Sequence, residues 1–152
     1  MLVVRPFGTC TRTYSLPSFA GLSTPTSIDL SKAIKLKDVV FQLNEWWFGW
    51  ITTTLKTITP EHRDLQQISI LVDFTIPFPS TGADAETIGE QCLGLDRLLV
   101  QLWESRSIQP KVECTALRGK EQDARDSVGR LLPEITKRGI INLVVRGPAR
   151  FW

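Results

Sequence analysis

Four short apolar runs, rich in β-branched residues and separated by stretches of helical length, most constrain the fold of this chain. The four predicted strands are Asp38–Phe41, Gln67–Phe74, Lys111–Ala116 and Ile140–Val145. Strand–helix–strand units favour parallel pairing with right-handed crossovers. The alternation therefore predicts an α/β fold with one parallel sheet in sequential order and with the helices outside the sheet.

The stretches between these strands carry apolar residues at helical spacing. They predict a helix over Asn44–Ile58, a long helix over Asp84–Arg106, and a third helix from Glu121 that Pro133 should kink or divide. The core-facing residues expected from this spacing are Leu43, Trp47, Trp50, Ile51, Thr54, Ile58, Ile88, Cys92, Leu95, Leu99, Leu102, Trp103, Ala124, Val128, Leu131 and Ile135.

Three of the strand entries share the frame L-x-x-L-x-L, which is typical of leucine-rich repeats. The frame covers Leu36–Phe41, Leu65–Ile70 and Ile140–Val145, whereas Ile108 and Val112 are spaced one residue too far apart for the third strand to fit. Two architectures remain open. One is an arc of irregular leucine-rich-repeat-like units with a parallel sheet, and the alternative is an ordinary open parallel α/β sheet.

The length of 152 residues suits one compact domain. We expect an irregular leader over 1–27, which is rich in Ser, Thr, Pro and Gly, with at most a short strand near Tyr14–Leu16. The α/β domain should cover 28–146, and a tail should follow over 147–152. The leader offers a poor cover for Val39 and Phe41, so the first unit is expected to bind hydrophobic dyes or to drive self-association.

Charge and hydropathy argue against two classes of partner. The 18 basic and 16 acidic residues are interspersed, and no basic cluster suggests nucleic-acid binding. No apolar run approaches the roughly 20 residues of a membrane helix. An intracellular and cytoplasmic location is expected, although the acid-free first 28 residues overlap in composition with organelle transit peptides.

The sequence contains few candidates for chemistry. The cysteines Cys10, Cys92 and Cys114 have no metal-site spacing, and the last two are expected to be buried hydrophobic residues. His62 lies in a polar turn and is interpreted as solvated, and Arg118–Lys120 as a solvent-exposed basic turn rather than an anion site. We expect no cofactor, no metal and no catalytic residue.

The aromatic run from Trp46 to Trp50 is the most unusual local feature. Trp47 and Trp50 belong to the predicted core stripe, and Trp46 and Phe48 point to either side of it on a helical wheel. Exposed aromatic residues are favoured as interface anchors. Alternatively, a neighbouring unit or the leader covers them. The residues predicted to bind a partner are Trp46, Phe48, Lys37, Gln42, Ser69 and Glu113.

Three stretches resemble the C-terminal part of a fungal family of F-box and leucine-rich-repeat-like proteins, most of them uncharacterised. They are Ser27–Phe41, Thr57–Leu65 and Leu95–Arg106, and the resemblance extends over roughly residues 27 to 145 without an F-box. It implies a non-enzymatic protein-interaction module whose protein partner is unknown. The alternative is a small α/β enzyme or nucleotide-binding domain with its site at the carboxyl edge of the strands, against which the lack of a Gly-rich phosphate loop argues.

Overall fold

The structure, a computed structural model, describes residues 2–6, 12–14, 28–43, 48–75 and 83–146. Its strands are β1 (Leu2–Pro6), β2 (Arg12–Tyr14), β3 (Leu36–Leu43), β4 (Gln67–Asp73), β5 (Gln109–Leu117) and β6 (Ile141–Arg146). Its helices are α1 (Gly49–Leu55), α2 (Ala83–Arg106), α3 (Glu121–Leu131) and α4 (Pro133–Lys137).

The described strands form one sheet in the order β2-β1-β3-β4-β5-β6. The pairs β3–β4, β4–β5 and β5–β6 are all parallel, which confirms the predicted sequential parallel sheet and the α/β class. The frame that suggested leucine-rich repeats lies at these strand entries, but a parallel sheet of this order suits both architectures left open by the sequence.

The expected irregular leader is wrong for residues 2–6, which form β1, and the short strand expected near Tyr14–Leu16 is found at Arg12–Tyr14. β1 pairs antiparallel with β3, with Val4 opposite Val39, and β2 pairs with the other edge of β1. Three consecutive apolar residues are enough for a strand here because β3 supplies its backbone hydrogen bonds. Val39 and Phe41 are fully buried, so the first parallel strand is covered and the expected exposed first unit is not found.

One face of the sheet forms the core together with the helices. Its buried residues alternate along the strands, as the pleat requires. They are Val39, Phe41, Leu43, Ile68, Ile70, Val72, Val112 and Cys114. Buried residues of α1, α2, α3 and α4 belong to the same cluster. Successive parallel crossovers of one hand place their helices on the same side of a sheet, which explains the two-layer arrangement.

The predicted helix faces are largely confirmed. Along α2 the expected stripe from Ile88 to Leu102 is buried, with Trp103 half-buried. Pro133 divides the last helix into α3 and α4, as the sequence predicts. α1 begins at Gly49, and residues 44–47, where the predicted helix starts, lie outside the described residues.

Candidate functional site

The face of the sheet opposite the core is the main candidate site, and we call it the open face. No described helix shares a core cluster with it. The open face comprises Asp38, Val40, Gln42, Gln67, Ser69, Leu71, Asp73, Gln109, Lys111, Glu113, Thr115, Leu117, Asn142 and Val144. All of these side chains except Ser69 are half-buried or exposed. The strands therefore present a continuous accessible surface of mixed polar and apolar character.

Strand register brings three of the predicted partner-binding residues together on this face. Gln42 lies beside Leu71, which lies beside Glu113, and Glu113 lies beside Asn142. Ser69 belongs to the neighbouring row, between Val40 and Lys111. With strands about 4.8 Å apart, the row from β3 to β6 spans about 15 Å.

Ser69 is nearly buried, although the sequence predicts it as a contact residue. It is 5% exposed, and its Oγ accepts a hydrogen bond of 2.8 Å from Nε2 of Gln67. The reason is its size, because a serine side chain lies below longer neighbours on a pleated sheet. Ser69 can hold the Gln67 amide in place, while the taller side chains form the outer surface.

Lys37 lies at the amino-terminal margin of the open face. The pairing of β1 with β3 is irregular here, since Arg5 pairs with Asp38 and Pro6 with Leu36. Leu36 and Val39 are both buried, and Lys37 and Asp38 between them are both half-buried. An extra residue of this kind lets two consecutive side chains share one face. Lys37 therefore extends the face at its margin rather than at its centre.

The structure describes one of the two predicted aromatic anchors, Phe48. Trp46 lies outside the described residues. Phe48 is 1% exposed and belongs to the hydrophobic core, so its assignment as an exposed contact is wrong. It is the residue before α1 rather than part of it, and a helical wheel therefore does not give its direction. Nearby, the rings of Phe41 and Trp50 pack edge to face with their centroids 5.5 Å apart.

Charges of both signs lie on the open face. Nζ of Lys111 is 4.0 Å from Oε2 of Glu113, and the two side chains are 50% and 32% exposed. A pair this long and this accessible to water contributes little to folding. Each of the two groups can therefore leave this ion pair and bind a charged group of a partner at a small cost in free energy.

The carboxyl edge of the strands, the alternative site, shows mainly local pairing among its described polar groups. Oδ1 of Asp73 accepts hydrogen bonds from the backbone N–H and the hydroxyl of Thr75. Nζ of Lys120 lies 3.2 Å from Oδ2 of Asp123, and Arg118–Lys120 are exposed as predicted. Among the described residues, no group of three or more His, Cys, Asp or Glu is placed to hold a metal ion.

His62 is buried, so its interpretation as a solvated turn residue is wrong. It is 1% exposed, its Nε2 lies 2.8 Å from the carbonyl oxygen of Leu30, and its Nδ1 accepts the backbone N–H of Thr59 at 3.1 Å. A neutral ring protonated on Nε2 makes both bonds. The sequence contains no signal for this role, because the partner is a backbone group 32 residues away.

The same region has further side-chain bonds to residues 28–30. The backbone N–H of Ile28 donates to Oγ1 of Thr54, and that of Leu30 donates to Oγ1 of Thr57. With His62 bonded to the Leu30 carbonyl, both backbone polar groups of Leu30 are satisfied. His62 thus acts as a structural residue. Together with Thr54 and Thr57, it holds residues 28–30 against the region of α1.

Replacing His62 by Ala should lower the free energy of unfolding by about 1–3 kcal/mol, because it removes one of the two donors to the buried Leu30 carbonyl, the other being the backbone N–H of Ala33, and leaves the backbone N–H of Thr59 without its acceptor. Chemical denaturation measures this difference. Arg63→Ala is the matched control, since Arg63 is exposed in the same turn and should change stability by no more than about 0.5 kcal/mol. Equal stability of the two variants would contradict the structural role of His62.

Asp96 is a second buried polar residue that sequence reasoning missed. It is 1% exposed on α2, and its carboxylate accepts the backbone N–H groups of Glu134 and Ile135 at 2.9 and 3.0 Å. These are donors of the first turn of α4, whose own N-cap residue Leu132 offers no side-chain acceptor. Asp96 therefore caps α4 from another helix.

The two described cysteines are buried, as predicted. Burial raises the pKa of the Cys92 thiol to about 12, with a further contribution from the charge of Asp96. Burial likewise raises the pKa of Cys114 to about 12, and Glu113 adds to the shift. A nucleophilic cysteine requires a lowered pKa, so neither thiol has the electrostatic setting of a catalytic residue.

Comparison of the chain with protein-family models, curated proteins and solved structures finds no match. Within the described ranges, no helix combines the length and apolar character needed to cross a bilayer. The candidate site is therefore interpreted from its own geometry.

Proposed function

We propose that this chain is a non-enzymatic protein-interaction module that binds its partner through the open face. The observation that carries the proposal is the two-layer arrangement, in which the helices lie on one side and four neighbouring strands present accessible side chains on the other. A hydrogen-bonded sheet holds these side chains in fixed relative positions. A partner then binds without the cost of ordering a mobile surface.

The composition of the open face suits a protein partner. Val40 and Leu71 supply half-buried apolar area, and Gln42, Lys111 and Glu113 surround them with polar groups. Apolar centres with polar margins are typical of protein interfaces. The resemblance of three stretches to F-box and leucine-rich-repeat-like proteins supports the same function.

Charge makes nucleic acid the weaker choice for the open face. Its described side chains include Asp38, Asp73 and Glu113 against Lys37 and Lys111. Phosphate backbones are bound by surfaces that neutralise several charges together. A mixed surface of this kind instead discriminates between proteins by charge complementarity.

The test is affinity capture with three forms of the full chain, namely wild type, Glu113→Lys and Glu90→Lys. Glu90 is exposed on α2, on the other side of the molecule, and undergoes the same charge change. A partner of the open face should be retained by wild type and Glu90→Lys, and its affinity for Glu113→Lys should fall about 10-fold or more, the effect of a like-charge or unpaired contact. A partner that loses binding only to Glu90→Lys would place the interface on the helices.

The variants Glu113→Lys and Glu90→Lys are a better test than a double substitution of Trp46 and Phe48, which the sequence alone suggests. Phe48 is buried. Its truncation would disturb the core, and a loss of binding could then arise from a loss of folding. Glu113 and Glu90 avoid this because neither side chain is buried.

A further inference from the structure

We draw no further inference here: the strongest candidate, the outer edge of β6 at the end of the described sheet, carries none because nothing in the structure shows what covers it.

Discussion

Replacing Leu99 by Ala should lower the free energy of unfolding by about 2–5 kcal/mol, the usual range for truncating a buried leucine. Leu99 is 1% exposed, and it lies mid-way along the stripe by which α2 joins the core. The substitution removes three carbon atoms from a packed interior that can collapse only in part. Urea denaturation followed by circular dichroism measures the change.

Leu93→Ala is the control for this prediction. Leu93 lies on the same helix, is 39% exposed, and undergoes the same chemical change with little loss of packing. Its effect should be less than about 1 kcal/mol, because a surface substitution of this kind leaves no cavity. If the two variants lost equal stability, the face of α2 assigned to the core would be wrong.

Asp96→Ala should cost about 2–4 kcal/mol, since it leaves two backbone N–H groups of α4 without acceptors and each buried unsatisfied donor costs about 1–3 kcal/mol. Asp96→Asn keeps one acceptor oxygen and should lose roughly half as much. Arg97→Ala, at the exposed neighbouring position, should change stability by no more than about 0.5 kcal/mol. Chemical denaturation of the three variants gives the order.

A second readout separates capping from a general loss of packing. Amide hydrogen exchange at Glu134 and Ile135 should accelerate more in Asp96→Ala than exchange in α3 does, because the missing acceptor acts on α4 directly. Uniform acceleration through both helices would contradict the assignment of Asp96 as a cap.

The parallel sheet and the helix faces could be predicted from the sequence because both depend on local periodicity. Leu95 and Leu99 follow the helical spacing of α2, and Val128 follows that of α3. Each of the three is buried where the pattern places it. Pro133 separates α3 from α4 through its own missing N–H and its ring. This division could also be predicted, because it depends on a single residue of the sequence.

What the sequence did not predict depends on partners that are distant along the chain. β1 is a strand because it pairs with β3, whose residues lie 30 to 39 positions later in the chain. His62 can be buried because its Nε2 bonds to the carbonyl oxygen of Leu30, and Asp96 can be buried because its carboxylate accepts N–H groups of α4. The sequence does not distinguish a polar residue that is solvated from one that bonds to a distant backbone group, because no periodic pattern accompanies either role.

The candidate site was partly predictable for the same reason. Gln42 and Glu113 follow the alternation of regular strands, so their place on the open face could be read from the pattern. Ser69 shares the alternation, but its burial depends on the size of its neighbours. The prediction for Phe48 was wrong because the direction of its side chain was derived from a helix that begins one residue later in the structure.

The most direct test of the open face as a binding surface is site-specific photo-cross-linking of the partner identified by affinity capture. A photoreactive residue would be placed at Glu113 of the open face in one form, and at Arg97 on the exposed side of α2 in the other. The proposed function predicts a covalent complex with the partner from position 113 and none from position 97. Cross-linking from position 97 alone, or equally from both positions, would contradict it.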